Sequence, residues 1–432
     1  MWGMTRYQWT VLFAAWLGWG FDVFDGLLFN YVAPNCVPTL LGLTIGSKEA
    51  KDATSFWIGV LTSLLLIGWA VGGIIFGRVA DRIGRTKTLM LTMALYALGT
   101  AACAFAPNIG FLVLCRIVAS LGIGGEWAAG AAMVAEVVPE KRRVEAGALL
   151  YTSAPMGLFL ATFVTHEVQG VRMAGSPETA WRTVFLFGLV PAVVAFVVRF
   201  FVKEPEKWKG VADRAASARI ADLFTPEFRR ITLSGLGVAL VALIMWWACN
   251  AFIPQVAALL AQTRAVAEHL DKVKTQELVE SWKMQATTWF NLGGLIGTLL
   301  TVVVAKTMGR RPMYALYFVA SAASIFITFG VAMPPESRLM CFFLMGLTVF
   351  GVFGSFTYYL PELFPTRLRG TGAGFCYNAG RVVAAAGPFA VGAVMKSSAN
   401  PLGVIAWVAV VPLLGLLVVP QIIETKSQSL LD

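Results

Sequence analysis

The feature that most constrains this chain is a series of apolar stretches, each about 20 residues long, with almost no Asp, Glu, Lys or Arg. Only 13% of its 432 residues are charged and 58% are hydrophobic, whereas soluble domains carry about 25% charged residues. A helix satisfies its own backbone hydrogen bonds, so it can cross lipid, and about 20 apolar residues suffice for one crossing. The composition therefore excludes a soluble enzyme and predicts an all-α membrane protein.

Twelve transmembrane helices are predicted, in two six-helix halves around a central cavity. Their segments are residues 8–34, 56–77, 88–106, 109–133, 145–167, 181–202, 229–260, 284–305, 312–333, 338–360, 370–395 and 402–423. The first segment is too long for a signal peptide, carries Asp22 and Asp25, and lacks a small-residue cleavage site. We therefore expect it to remain in the mature chain.

The distribution of basic residues among the loops predicts the orientation. Of the 34 Lys and Arg residues, 22 lie at the termini and in alternate connections on one side, and 10 lie in the connections on the other. By the positive-inside rule both termini are cytoplasmic, in a multi-pass protein of the cell (inner) membrane. The net charge of +10 is thus largely a topology signal, which argues against nucleic-acid binding.

The longest polar stretch, residues 203–228, divides the chain. It predicts a cytoplasmic linker with a short amphipathic helix near 211–223, between an N-terminal half at 1–202 and a C-terminal half at 229–432. A second charged stretch, 261–283, is expected to be external and to form a short helix. Neither stretch has room for a catalytic domain, and we expect no enzyme activity.

Cysteine and histidine patterns give no sign of a metal or redox centre. The six Cys lie in or beside apolar segments without a CxxC pair, and the two His lie in predicted external segments. No Walker loop, HExxH or GxSxG motif is present. We therefore expect neither a nucleotide nor a metal cofactor.

The two halves show weak internal similarity. A shift of about 225 residues places Arg85 over Arg310 and, one residue further, Glu136 over Glu362. Such repeats are typical of secondary transporters. Matching positions also include Ala80 with Ala305, Gly84 with Gly309, Gly72 with Gly297, Pro139 with Pro365 and Arg143 with Arg369.

Over essentially its whole length the chain resembles the major facilitator superfamily. The loop after the second segment carries that family's G-x3-D-R-x-G-R signature as Gly77, Asp81, Arg82, Gly84 and Arg85. The resemblance implies a cytoplasmic gating latch of ion pairs at this loop, which opens as the halves rock. We expect three further residues to belong to the gate, namely Glu136, Glu362 and Arg369.

Partial matches support the same resemblance. The stretch "KEPEKW" at 203–208 and the ending Glu424, Thr425 and Lys426 are similar to two further family motifs. In the second half, Lys306 replaces the signature Asp, which weakens the equivalence of the two loops.

Within the family, the first and fourth segments resemble bacterial proton symporters for sialate, lactate and related organic acids. The matching positions are Trp16, Asp22, Asp25, Arg116, Gly122, Gly125 and Glu126. The resemblance implies a monomeric symporter that imports a small organic anion, such as a monocarboxylate or sugar acid, together with protons by alternating access. The partners it implies are that anion, protons and the lipid bilayer.

Five charged side chains lie inside apolar segments, where an ionised group costs at least about 2.5–3.5 kcal/mol on insertion scales. Such groups need a partner or a water-filled cavity, so each marks a candidate functional position. Asp22 and Asp25, three residues apart, are predicted to face the cavity and to couple protons. Arg116 is expected to modulate one of them, or to form a fixed ion pair with Asp25. Glu126 is a third coupling candidate, with structural pairing as the alternative.

Arg381, the fifth intramembrane charge, is the candidate anchor for a substrate carboxylate. A guanidinium offers a planar pair of donors and stays charged at working pH. Asn378, one turn earlier, is expected to add a hydrogen bond, and a permanent ion pair is the alternative role for Arg381. Trp246 and Asn250 in the seventh segment are further substrate-binding candidates. Other candidate cavity walls are Trp247, Tyr358 and Tyr359.

Other functions remain open at the level of sequence. The seventh segment lacks the paired Gln of the family's sugar porters, and the fifth lacks the antiporters' Gly-rich motif, so sugar transport and drug antiport are less favoured than organic-anion symport. An aromatic acid is another open substrate class. A transporter-like membrane receptor is the alternative outside transport.

Overall fold

A computed structural model describes residues 4–83, 85–139, 146, 149–190, 193, 197, 220–365 and 368–426 of the chain. Throughout these ranges the secondary structure is helical, with turns and short loops and without a β-strand. Seven helices or joined pairs of helices in these ranges are long and apolar enough to cross a membrane. Two shorter apolar helices, Lys87–Cys103 and Ile109–Gly124, accompany them.

The first half contains six helices in the described ranges. They are α1 (Arg6–Leu41), α2 (Lys48–Ile83), α3 (Arg85–Cys103), α4 (Ile109–Val137), α5 (Ser153–Thr165) and α6 (Pro177–Phe187). A π-helix, His166–Arg172, continues α5. The side chain of Thr5 caps the start of α1, and Gly42, with a left-handed φ of 68°, ends it.

A 3-10 turn, Ile220–Phe224, precedes the second half and lies in the predicted linker. The helices of the second half are α7 (Arg229–Asn250), α8 (Ile253–Ala267), α9 (Lys272–Met308), α10 (Arg310–Gly330), α11 (Pro335–Met345), α12 (Arg369–Ala384), α13 (Ala386–Met395), α14 (Pro401–Ala406) and α15 (Val410–Gly415). Shorter elements extend them, namely a π-helix at Gly346–Phe350, 3-10 helices at Gly351–Thr357, Trp407–Ala409 and Val419–Gln421, and a helical turn at Tyr359–Glu362.

The structure departs from the predicted boundaries around the seventh and eighth segments. The predicted segment 229–260 is divided at Ala251 and Phe252, because Pro254 at the start of α8 cannot donate a backbone hydrogen bond to the preceding turn. The next helix, α9, begins at Lys272, twelve residues before the predicted 284. Of the predicted linker helix, residues 211–219 lie outside the described ranges.

Close helix packing in the first half depends on small residues. A Cβ on Gly124 would lie 1.9 Å from the carbonyl oxygen of Trp69, and one on Gly72 would lie 2.1 Å from that of Leu121. Both distances are far below van der Waals contact, so α2 and α4 approach this closely only with glycine at these positions.

The two halves also contact each other tightly at one end of the bundle. We call this the outer end, because it is where α1 ends and α2 begins and because the loop charges predict it to be extracellular. A Cβ on Gly59 of α2 would lie 2.5 Å from the carbonyl oxygen of Pro388, and one on Gly392 of α13 would lie 2.5 Å from that of Ser55. The outer end is therefore closed.

Hydrogen bonds reinforce this closure. Ser63 Oγ donates to the carbonyl of Ala385 at 2.6 Å. Gln255 Nε2, on α8, donates to Ser55 Oγ at 2.7 Å and to the carbonyl of Lys51 at 3.2 Å. Each of these bonds crosses between the halves, so opening the outer end breaks them.

Candidate functional site

Two cavities are candidates for a binding site. The larger, about 590 Å³, lies between α7, α13, α14 and α15 and has no charged side chain in its wall. The smaller, about 40 Å³, is enclosed by six side chains from each half and includes Arg381. Since an anion requires a compensating charge, the smaller cavity is the candidate site. Its wall consists of Trp19, Val23, Leu27, Trp69, Tyr151, Ala154, Trp246, Trp247, Phe350, Phe353, Tyr377 and Arg381.

The central cavity is too small for an organic acid in this conformation. Ligand pockets usually measure roughly 300 Å³ or more, whereas this one is about 40 Å³. Because its walls come from both halves, it enlarges when the halves move apart. The structure therefore represents a contracted form of the cavity with its outer end closed.

Arg381 lies on α12, buried to 3% exposure, beside the faces of two aromatic rings. Its guanidinium carbon is 4.4 Å from the ring centre of Trp69, in the first half, and 4.5 Å from that of Tyr377, in its own half. Its Nη1 donates to Asn378 Oδ1 at 3.1 Å. Asn378 thus orients the guanidinium through its oxygen, and is itself absent from the cavity wall.

Aromatic side chains form most of the cavity wall. Trp246 packs edge to face against Trp247, with ring centres 4.6 Å apart, and against Phe350 at 5.7 Å. The indole N–H of Trp246 is buried without a hydrogen-bond acceptor among the described residues. The indole N–H of Trp69, also in the wall, is in the same state. The wall therefore offers flat apolar faces, one cation and two indole N–H groups that can donate to a ligand.

Three other candidates from the seventh and tenth segments lie elsewhere. Asn250 is buried at the end of α7 and is absent from the cavity wall. Tyr358 donates to the carbonyl of Thr301, and Tyr359 donates to that of Ile423, so both tyrosines lie near the opposite, inner end of the second half. Their prediction as cavity walls was wrong, because the irregular helix at Gly346–Thr357 changes the face that the following residues present.

Asp25 faces the interior of its own half. Its Oδ2 accepts a hydrogen bond from Thr100 of α3 at 2.6 Å, and Gly188, just after α6, lies beside its Oδ1. Three residues along a helix correspond to a rotation of 300°, so Asp22 and Asp25 diverge by about 60°. Neither carboxylate belongs to the cavity wall, so the expectation that both line the cavity was wrong.

Arg116 binds the backbone of α1 beside this carboxylate. Its Nη1 donates to the carbonyl of Asp25 at 3.1 Å, and its Nη2 donates to that of Gly26 at 2.6 Å. Its Nη1 also lies 3.5 Å from Thr100 Oγ1. The guanidinium thus joins α4 to α1 and remains near the Asp25 side chain without a direct ion pair to it.

Asp22 is fully buried in α1, one residue before the cavity-lining Val23. Its carboxylate interacts electrostatically with the guanidinium of Arg381 in the other half. Asp22 belongs to the first half and Arg381 to the second. The structure brings them into electrostatic range of each other.

For most of the candidate gating residues, and for the coupling candidate Glu126, the structure does not describe the side chain. Gly84 lies outside the described residues. Backbone positions alone are described for another seven candidates, all in helices: Gly77, Asp81, Arg82, Arg85, Glu126, Glu136 and Arg369.

The corresponding region of the second half is an ion-pair cluster around Arg310. Its guanidinium forms a two-pronged contact with Glu362, with Nη2 2.8 Å from Oε1 and Nε 3.2 Å from Oε2. Thr425 Oγ1 donates to the same carboxylate at 2.6 Å. Glu362 therefore pairs with Arg310 of its own half, and Arg310 is the residue that the internal repeat aligns with Arg85.

Glu424 caps the start of α10 in this cluster. Its carboxylate accepts hydrogen bonds from the backbone N–H groups of Arg310 and Arg311, at 2.9 and 3.0 Å. Burial acts to raise the pKa of Glu424, but these backbone donors outweigh it, so the pKa lies below its usual value. Gly309, with a φ of +99°, provides the turn that presents these N–H groups. The family-like ending Glu424, Thr425 and Lys426 thus has a structural role.

A further ion pair, which is fully buried, was not predicted from the sequence. Lys283 Nζ lies 2.5 Å from Glu280 Oε1, and both side chains are 1% exposed. The pair belongs to α9, in a stretch that the sequence assigned to an external segment. The i, i+3 spacing of the opposite charges is the signal that was available.

Comparisons with known proteins identify the chain's relatives. The family model described as Major Facilitator Superfamily matches residues 9–388. A probable 4-methylmuconolactone transporter of Cupriavidus pinatubonensis is 29% identical over 94% of this chain and 89% of that protein. The sialic acid transporter of Escherichia coli is 27% identical, over 87% of this chain and 85% of its own length. A gentisate transporter of Corynebacterium glutamicum is 25% identical, over 87% and 80%.

Solved structures agree on the fold. A crystal structure of a D-xylose-proton symporter superposes with a TM-score of 0.75 at 17% sequence identity, covering 98% of this chain and all of that one. The predicted fold class, a membrane protein with twelve helices in two halves around a central cavity, is confirmed. The prediction that the chain is not an enzyme is likewise confirmed, since the matched proteins are transport proteins.

Proposed function

We propose, since this chain belongs to the major facilitator superfamily, that it imports a small organic anion together with protons by alternating access. The observation that carries the proposal is the Arg381 guanidinium, buried in a cavity whose walls come from both halves. A planar cation at that position suits a carboxylate, which it can bind through two parallel hydrogen bonds. Relatives named as transporters of 4-methylmuconolactone, sialic acid and gentisate support an acid as the cargo.

Within the organic acids, the cavity wall favours molecules with a flat, unsaturated skeleton. Eight of its twelve side chains are aromatic, and ring faces stack well on planar groups. The indole N–H of Trp246 is available to a second polar group of the substrate. Sugar acids, with several hydroxyls, would find fewer partners there.

Proton coupling is assigned to Asp22 or Asp25. Asp22 lies in electrostatic range of Arg381, so the charge it carries affects how strongly that guanidinium attracts an anion. The anion is opposed by about 2.3 kcal/mol per charge per 100 mV of inside-negative potential, and each proton that enters with it offsets one charge. We assign the modulation of Asp25 to Arg116, and keep Glu126 as a further coupling candidate.

The gate and the orientation complete the proposal. Arg85 and Glu136, aligned by the repeat with the Arg310–Glu362 pair, act with Asp81 as the inner latch. Residues 203–228 form a cytoplasmic linker that connects the halves. The protein spans the cell (inner) membrane with both termini in the cytoplasm. It works as a monomer and needs no resident cofactor.

The test is uptake by purified protein in liposomes with an imposed inward proton gradient. The panel contains cis,cis-muconate, gentisate, sialate and lactate, with glucose as a neutral control. We expect one or more acids to accumulate, and accumulation to collapse when a protonophore is added. Accumulation of glucose alone, or acid uptake that ignores the proton gradient, would refute the proposal.

Arg381→Gln tests the anchor. Loss of a charge-assisted hydrogen bond costs about 1.5–3 kcal/mol, so we expect transport affinity to fall at least about tenfold. The matched control is Arg338→Gln, which removes another buried guanidinium of the same half that donates to the carbonyls of Thr328 and Val331. Uptake is expressed per folded protein. Equal losses in the two variants would show that Arg381 acts only as a structural cation.

A further inference from the structure

The Glu280–Lys283 pair is buried at the junction between the halves, at the outer end. Lys283 Nζ donates to the backbone carbonyl of Tyr31 at 2.8 Å, across the interface from α9 to α1. The same ammonium lies 2.5 Å from Glu280 Oε1. One ammonium thus joins a carboxylate of its own half to the backbone of the other half.

The burial of the pair depends on the first half. The helix α9 packs against α5 and its π-helical continuation, and the π-helix contains Gly170. A Cβ at Gly170 would lie 2.7 Å from Glu280 Cβ, so the two backbones approach closely there. If the halves part at the outer end, water reaches both charges and Lys283 loses the carbonyl of Tyr31.

Energetic considerations make such a pair sensitive to the conformational state. Taking two charges out of water costs several kcal/mol per ion, and attraction between them offsets this cost only while both are well hydrogen-bonded. Glu280 Oε1 also accepts a hydrogen bond from Gln276 Nε2 at 3.0 Å. Both contacts are made by Oε1, whereas Oε2 is buried without a hydrogen-bond partner among the described residues. The pair is therefore held in the closed state by the Lys283 ammonium, and removal of either member leaves an uncompensated buried charge in that state alone.

We propose that Glu280 and Lys283 form an outer latch, in which Glu280 positions the Lys283 ammonium to hold the carbonyl of Tyr31 and thereby keeps the outer end closed. This inference rests on the alternating-access part of the proposed function and is independent of the substrate and of proton coupling. Lys283 and Glu280 are positioning residues, because neither belongs to the wall of the central cavity.

The test measures distances between spin labels in protein reconstituted in nanodiscs, without substrate. One label pair, at Val171→Cys and Val266→Cys, reports the outer end, and a second pair, at Tyr7→Cys and Met308→Cys, reports the inner end. All four positions are exposed. Five native cysteines are buried and Cys341 is half-buried, so Cys341→Ser provides the background.

We expect Lys283→Met to raise the population with a long outer distance about tenfold or more, with a shorter inner distance in the same molecules. This change corresponds to about 1.4 kcal/mol or more. Lys283→Arg, which keeps the charge and the donors, should retain the wild-type distribution. Lys274→Met, an exposed lysine on the same helix, is the matched control and should change neither distance.

The double variant Glu280→Gln/Lys283→Met keeps the test decisive if a single variant fails to fold, because it leaves no uncompensated charge. It still lacks the donor to Tyr31, so we expect a smaller shift in the same direction. Unchanged distances in Lys283→Met or in the folded double variant would overturn the latch. Equal broadening of the distance distributions at the outer and inner ends would overturn it as well, because generally loosened packing would have that effect. Failure of acid uptake in the liposome assay leaves these distances unaffected, so the two proposals fail separately.

Discussion

A single methyl group at Gly392 should open the outer end of the transporter. In the closed structure a Cβ at this position would lie 2.5 Å from the carbonyl oxygen of Ser55 and 2.9 Å from the Cα of Gly59. Ordinary contact begins at 3.4 Å, so α2 and α13 would have to separate by about 0.9 Å. Ser63 of α2 also donates to the carbonyl of Ala385, directly before α13, so the separation would strain this hydrogen bond as well.

The size of the effect follows from the cost of overpacking. An extra methyl group in a tight interface costs about 1–3 kcal/mol. The cost applies only while the halves are in contact at the outer end, so Gly392→Ala should raise the outer-open population about 5–150-fold. The control is Gly374→Ala, because no atom lies within 4 Å of a Cβ at that helical position.

The assay is the labelling rate of Leu27→Cys, a cavity-wall position, by a membrane-impermeant maleimide added outside intact cells. The Cys341→Ser background without Leu27→Cys gives the blank. Labelling should be about 5–150-fold faster in Gly392→Ala than in Gly374→Ala. Equal rates in these two variants would refute the argument that contact between α2 and α13 holds the outer end closed.

Three further predictions concern coupling and the inner cluster. At least one of Asp22→Asn and Asp25→Asn should abolish proton-driven accumulation while labelled substrate still exchanges across liposomes, and full accumulation in both variants would contradict the coupling assignment. Arg310→Gln should lower the free energy of unfolding by about 1–3 kcal/mol, and a double-mutant cycle with Glu362→Gln should show that the losses are not additive. Because the pKa of Glu424 is lowered in the folded state, its contribution is present above the ordinary carboxyl pKa and disappears as pH falls through the lowered value. The difference in Tm between wild type and Glu424→Gln should therefore shrink on acidification, and a constant difference would show that the carboxylate's charge is irrelevant there.

Hydrophobicity and charge placement were sufficient to predict the fold, since lipid permits few alternatives to a bundle of apolar helices. The same reasoning identified Arg381, because an ionised side chain inside the membrane is energetically costly and therefore marks a candidate functional position. The break between α7 and α8 was missed, although Pro254 indicates it, because apolar residues continue on both sides of it.

Other features depend on packing that one sequence does not reveal. Helical spacing placed Asp22 and Asp25 on a common side, whereas only the position of Thr100 on α3 shows that Asp25 faces the interior of its half. Lys283 was assigned to an external segment because it is the last residue of the charged stretch 261–283. It is buried because the first half covers it, and the i, i+3 spacing with Glu280 indicates the ion pair but not this tertiary contact.

The contact between Arg381 and Trp69 links recognition of the cargo to movement of the protein. The guanidinium belongs to one half and the indole to the other, so they must part when the halves separate, and cation–π contacts of this kind are worth about 0.5–2 kcal/mol. An arriving carboxylate can compensate the cation for that loss, whereas a neutral molecule of the same shape cannot. For the proposed organic-anion cargo, we therefore expect the negative charge to favour separation of Arg381 from Trp69, so that uncharged analogues bind in the cavity without promoting movement of the halves.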